Sequence, residues 1–185
     1  MTKRPPSDAR LLDLHTLGRH PGEMIERHWE IPAPADLAVG LIGVPAGSAV
    51  VCDLTCQSAG DGVLLQGSAA VHLAGQCARC LAGFERPGHF DLQEFYYYPG
   101  KGPEETGEDD DEALFVVDGL IDLEPVLRAA VVLNLPFSPL CRDDCAGLCP
   151  VCGADLNQQP GHHHDGPADA RWAKLAGLLD AGAAE

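Results

Sequence analysis

Ala49-Val-Val-Cys-Asp-Leu-Thr-Cys-Gln-Ser-Ala-Gly-Asp-Gly-Val63-Leu-Leu-Gln-Gly-Ser-Ala-Ala-Val-His-Leu73 alternates, breaks and alternates again. Apolar residues at every second position mark a half-buried strand, because successive side chains point to opposite faces of a sheet. Ser58-Ala-Gly-Asp-Gly62 supplies turn chemistry between the two runs, so Ala49 to Thr55 and Val63 to Leu73 are expected to form a hairpin. Val50, Cys52, Leu54 and Cys56 fall on one face, which makes Cys52 and Cys56 small core residues rather than ligands.

Working outward, the second strand runs into Gly75-Gln-Cys77-Ala-Arg-Cys80, and Phe84 to Tyr98 reads as the next strand, with Phe90 and Leu92 alternating. The aromatics Phe95 to Tyr98 can stack on unpaired bases, but half of such a run should face the core, and aromatics favour strands in any case. Upstream, residues 1–10 are polar and expected to be loose. Leu11 to Leu17 and Glu23 to Ile31 are short apolar rhythms, and residues 37–44 make a further strand before Pro45-Ala-Gly47 turns the chain. Ala113 to Val117 is a short strand and Asp118-Gly119 a turn. A helix follows, capped by Asp122, with Pro125 in its first turn, Leu123, Leu127, Ala130 and Val131 on one face, and Pro136 as its stop. Asp169 caps a last helix with Trp172, Leu175, Ala176 and Leu179 on one face. The expected fold is α+β: an antiparallel strand-rich core, a partly open barrel or sheet, with two or three helices and a C-terminal zinc-knuckle lobe. Its expected domains are a core over 1–136, with an acidic disordered loop at 100–112, and a zinc-binding lobe over 137–185 whose C-terminal helix packs on the core.

Cys141-Arg-Asp-Asp-Cys145-Ala-Gly-Leu-Cys149-Pro-Val-Cys152-Gly153, followed by His162-His-His164, carries the chemistry. Two thiolates separated by two residues reach one ion, and Gly153 can take the positive φ of the tight turn. Tetrahedral zinc accepts sulfur and imidazole together, so His162 and His164 can complete a set with Cys149 and Cys152. Cys141 and Cys145 find partners in Cys77 and Cys80. These eight ligands suffice for two four-coordinate ions, but spacing alone does not assign each ligand to an ion, and one shared ion also satisfies it. The expected cofactor is therefore Zn2+, one or two ions, in a structural role.

The cysteines have three rival uses. The spacing Cys145-x3-Cys149-x2-Cys152 also holds an iron–sulfur cluster in radical enzymes that use S-adenosylmethionine. Those enzymes place it early in a large α/β barrel, whereas little chain follows Cys152 here, and the His-x-His tail suits a borderline ion better than all-thiolate iron. Cys77-x2-Cys80 lacks the βαβ setting of a thioredoxin-like redox pair. Disulfides depend on the compartment. The chain begins Met1-Thr-Lys-Arg-Pro-Pro-Ser-Asp with no apolar run long enough for a signal peptide or a membrane span, so a cytoplasmic location is expected, where clustered cysteines are ligands.

At 185 residues with a formal net charge of −16, the chain is long enough for one core plus a metal-stapled lobe, and too acidic for non-specific binding to phosphate backbones. Seven of those charges sit in Glu104, Glu105, Glu108, Asp109, Asp110, Asp111 and Glu112; without them the remainder still carries −9. Such a chain suits basic partners, ribosomal proteins among them. Neither DNA nor a membrane surface is an expected partner.

Cys77-Ala-Arg-Cys80-Leu81, Ile121-Asp-Leu-Glu-Pro-Val126, Leu135-Pro136, Gly147-Leu-Cys-Pro-Val-Cys-Gly153 and His162-x-His164 occur together over roughly residues 75–175. In this combination the chain resembles the YceD family, the large ribosomal RNA subunit accumulation proteins, and its actinobacterial branch in particular. It departs at Asp169-Ala170-Arg171, where the family tends to have Asp-Pro-Arg. The resemblance implies a non-enzymatic factor for the accumulation or processing of large-subunit (23S) ribosomal RNA and for ribosome assembly. It implies metal that supports structure, since other branches lack most of the downstream cysteines. The expected partner is a ribosomal protein or large-subunit assembly particle, with structured ribosomal RNA as a further candidate and Arg79, Arg142 and Arg171 as the basic contacts. The alternatives are a metal-dependent enzyme acting on RNA, or a protein-only interaction module. The enzyme is disfavoured because catalytic zinc keeps an open position, whereas here the available ligands fill the site.

Overall fold

The computed structural model describes residues 8–102 and 113–164 of the chain. Its strands, in chain order, are β1 (Leu11–Asp13), β2 (Met24–Pro32), β3 (Ala38–Val39), β4 (Ile42–Gly43), β5 (Ala49–Ser58), β6 (Gly62–Gln76), β7 (Gly83–Tyr97), β8 (Leu114–Phe115) and β9 (Leu120–Asp122). One α-helix, α1 (Glu124–Asn134), follows. The chain divides between Asp143 and Asp144 into two compact units, and every strand and α1 belong to the first.

The β5–β6–β7 meander is the frame of this first unit. β5 pairs antiparallel with β6 from Val51 opposite Ala70 to Ser58 opposite Val63, and β6 pairs with β7 over its whole length, Gly62 opposite Tyr97 to Gln76 opposite Gly83. β2 extends the sheet on the far side of β5, and the short β4 continues that flank of β6 at Ala74 and Gly75. β8 adds to β7 in parallel, and β1 and β9 form a separate two-stranded sheet. Gly67 of β6 lies against the β5 backbone: a Cβ there would meet the Asp53 carbonyl oxygen at 2.1 Å. Only glycine fits.

Alternation produces the core. Val50, Cys52, Leu54 and Cys56 of β5, Val63, Leu65, Ala69 and Leu73 of β6, and Phe90, Leu92 and Tyr96 of β7 are all buried. α1 adds Val126, Leu127 and Val131, spaced to bury one face. The Asp122 carboxylate accepts the Glu124 amide at 2.9 Å just before the helix, and Arg128 donates to the carbonyls of Ala35 and Asp36 at 3.0 and 3.1 Å. Arg10 and Arg128 both pair with Glu124. At Asp118 and Gly119, φ values of 49° and 75° make the two-residue turn that joins Val117 to Leu120 by a pair of 2.9 Å hydrogen bonds. Of the aromatic run, Tyr96 points inward, while Phe95 and Tyr97 meet edge to face at 4.9 Å.

Three expectations about the fold are corrected. In place of two or three helices there is one α-helix among the described residues, because within them period-two alternation governs nearly all of the apolar positions and the helical period holds only around residues 123–135. The six cysteines expected as ligands do not gather in a C-terminal lobe. They run from Cys77 to Cys152, and Cys77, Cys80 and Cys141 belong to the strand-rich unit, since the Cys77-x2-Cys80 loop is the tip of the β6–β7 hairpin. Residues 37–44, expected as one strand, are split by a turn at Gly40 into β3 and β4. Most of the expected acidic loop, residues 103–112, and the expected last helix from Asp169, with Arg171, lie outside the described residues.

Candidate metal centres

The first group forms where the β6–β7 hairpin turns. Cys77 follows the last residue of β6 and is fully buried; Cys80 and Cys141 are half-buried. The loop is laced by its own backbone: Cys77 donates to the Ala82 carbonyl at 2.9 Å, and Leu81 donates to the Cys77 carbonyl at 2.9 Å. Leu81 takes a φ of 60° to do so. The Arg79 amide points at the Cys77 sulfur, 3.4 Å away, and the Ala78 amide reaches the Pro139 carbonyl at 2.8 Å, bringing the segment that carries Cys141 alongside the loop.

The Cys80 and Cys141 sulfurs stand 3.7 Å apart. That is far from the roughly 2.05 Å of a disulfide, and none of the eight cysteines forms one. Four sulfurs bound at about 2.3 Å around a tetrahedral ion stand about 3.8 Å from one another, so this spacing fits zinc. The Cys80 amide directed at the Cys77 sulfur leads the causes that lower this thiol from 9.0 to about 6; the Cys141 and Arg79 amides add to it and burial opposes it. A thiolate is the form a metal takes.

The second group lies wholly in the second unit. Cys149 is buried, His162 half-buried, and Cys152 and His164 exposed. The four donor atoms lie within 4.8 Å of one another. Cys152 Sγ is 3.2 Å from His162 Nε2, which is 3.0 Å from His164 Nε2. Around tetrahedral zinc, sulfur-to-nitrogen and nitrogen-to-nitrogen edges are about 3.5 and 3.3 Å, so the donors need to move only slightly to bind. Amides of Cys152 and Val151, with the side chains of Cys152 and His162, lower the Cys149 thiol from 9.0 to about 6. His163, between the two donors, turns instead to the Gly161 carbonyl at 3.0 Å.

Of the predicted ligands, the structure therefore brings together Cys77, Cys80 and Cys141 in one unit and Cys149, Cys152, His162 and His164 in the other. Cys145 opens the second unit, buried, with the Asn157 side-chain amide 3.5 Å from its sulfur. Cys52 and Cys56 are buried in the core, where exclusion of water raises both thiols to about 11. Reading the sequence missed Asn157, although Asp155-Leu-Asn157 is a turn-forming combination. Arg79 and Arg142 are both exposed on the first unit.

Among the described residues, no helix is long and apolar enough to cross a membrane. Residues 65–179 match the family described as "Large ribosomal RNA subunit accumulation protein YceD". An uncharacterized protein of Mycobacterium tuberculosis (strain H37Rv) is 44% identical over 177 residues, covering 96% of this chain and 84% of its own. One from Mycobacterium bovis matches equally, and one from Mycobacterium leprae is 37% identical over 178 residues, covering 96% of this chain and 81% of its own. No solved structure matches the chain. The family match spans more than half of the chain and holds both cysteine groups, and the chain belongs to the YceD family.

Proposed function

We propose that the protein is a non-enzymatic factor for the accumulation of large-subunit ribosomal RNA, acting in the cytoplasm during ribosome assembly, and that its cysteine groups hold two structural zinc ions. Cys77, Cys80 and Cys141 serve the first ion and Cys149, Cys152, His162 and His164 the second; Cys145, four residues after Cys141 in the sequence, is the eighth ligand. The observation that carries the metal reading is the close grouping of donors at the edge lengths of a tetrahedral zinc site, with Cys77 and Cys149 lowered toward the thiolate. Four protein ligands on each ion leave no open position for a substrate or an activated water, which supports a structural role rather than a catalytic one.

The partner is read from charge. With −16 overall, attraction is toward basic protein rather than bare RNA, so a ribosomal protein on an assembling large subunit is the favoured contact, and structured RNA is reached through it. Purifying the tagged protein from its host at low and high salt, and identifying what accompanies it, tests this reading. Large-subunit ribosomal proteins and their RNA should be recovered together at low salt, and the RNA should be lost when those proteins are stripped. Recovery of neither would overturn it. Elemental analysis should return two zinc ions per chain, and a metal-free protein that melts normally would refute the metal reading.

A further inference from the structure

Between Cys145 and Cys149 the chain is laced to the turn at 155–158. The Asn157 side chain makes two of these links. Its Oδ1 accepts the Ala146 amide at 2.8 Å, and its Nδ2 is 3.5 Å from Cys145 Sγ and 2.8 Å from Asp155 Oδ1. Asp155 Oδ1 also accepts the Asn157 amide at 2.9 Å, and Asp155 Oδ2 accepts the Gln158 side-chain amide at 2.9 Å. Leu156 donates to the Gly147 carbonyl at 3.0 Å, and Leu148 bridges Asp155. Cys145 enters this lacing at one end and Cys149 leaves it at the other.

We propose that Asn157 is a positioning residue for the metal ligand Cys145, its side chain holding the sulfur and the following backbone amide together. The proposal rests on the reading of Cys145 as a ligand. A thiolate bound to zinc keeps excess negative charge, and an N–H aimed at the sulfur offsets part of it while holding the rotamer; partners of this kind tune metal affinity about 10- to 100-fold. An amide suits the task because it donates at every pH. The Oδ1 bond to the residue after Cys145 fixes the backbone while Nδ2 fixes the sulfur, so one side chain sets both.

Zinc affinity of the full-length protein, measured by competition with a chelator of known strength, tests the idea on Asn157→Ala beside Gln158→Ala, which removes another bond of the same turn without touching a thiolate. N157A should weaken one of the two ions about 10- to 100-fold and shift the sulfur-to-metal charge-transfer bands of the cobalt-loaded protein, while Q158A stays with the wild type. Equal affinity in N157A and wild type, or equal losses in N157A and Q158A, would overturn the role of Asn157 and leave the metal reading standing. A wild-type chain that binds no metal would sink both. If N157A does not fold, the cadmium-loaded wild type decides: the Asn157 side-chain amide proton should show scalar coupling to the metal nucleus, and its absence would overturn the proposal.

Discussion

Leu81 and Gly153 occupy the same step in two knuckles of one design. Each follows the second cysteine of a Cys-x2-Cys pair, at φ values of 60° and 73°, and each donates its amide to the carbonyl of the first cysteine, at 2.9 and 2.8 Å. The first cysteine in turn donates to the residue beyond, Cys77 to Ala82 at 2.9 Å and Cys149 to Ala154 at 2.8 Å. One knuckle uses the residue suited to a left-handed backbone, and the other does not.

Leu81→Gly should therefore relieve strain. Leu81 is 53% exposed, so little burial is lost, and the change should stabilise the first unit by up to about 1 kcal/mol with metal retained. Gly153→Leu should cost about 1 to 2 kcal/mol through strain alone, because nothing lies within 4 Å of a Cβ at that position. Denaturant melts of the zinc-loaded variants check both signs.

The two proposed ions should leave at different rates. Cys77 is fully buried, whereas Cys152 and His164 of the second centre are exposed and open to a competing ligand. A chelator should extract one ion fast and one slowly, and Cys149→Ser should abolish the fast phase. It should also unfold the second unit, since structural zinc supplies about 10–16 kcal/mol to small domains. Loss of the slow phase instead would reverse the assignment.

Cys52 and Cys56 should make stability fall in alkali. Burial keeps both protonated up to about 11 in the folded chain, whereas the unfolded chain releases these protons near 9.0. Below pH 9 their contribution is fully present, and as pH rises from 9 toward 11 the unfolded state binds fewer protons and stability declines. The double variant Cys52→Ala, Cys56→Ala should show a shallower loss across that window in melts at stepped pH. Its metal content should equal that of the wild type.

Tyr96 joins the sheet to the junction before α1. Its hydroxyl donates to the Asp122 carbonyl at 2.7 Å, and burial, the first of several causes, raises the phenol well above its usual range. Tyr96→Phe leaves that carbonyl without this partner and should cost about 1 to 2 kcal/mol in a denaturant melt, with no change in metal content.

Deleting residues 104–112, with seven carboxylates and no large apolar side chain, should leave stability nearly unchanged. On the proposed reading of a basic protein partner it should also weaken that binding and flatten its salt dependence, since attraction between charges is screened within about 10 Å at 0.1 M salt. Binding measured at two salt concentrations checks this.

Much of the molecule is legible in local chemistry. The alternation in Ala49–Leu73 specifies the hairpin and places Cys52 and Cys56 inside, the apolar spacing after Asp122 specifies α1, and Asp118-Gly119 specifies its turn, because each signal is a period or a backbone preference carried by neighbouring residues. The sequence likewise marks eight candidate ligands by their spacing. What it leaves open depends on contacts distant along the chain. Which thiols share a site follows from β6 and β7 pairing along their full length, which sets Cys77 and Cys80 at a hairpin tip beside the segment that carries Cys141. The left-handed Leu81 and the hold of Asn157 on Cys145 are also tertiary outcomes. No local preference of leucine or asparagine announces them, because the backbone closure of the knuckle and the lacing of 145–149 to 155–158 are what impose them.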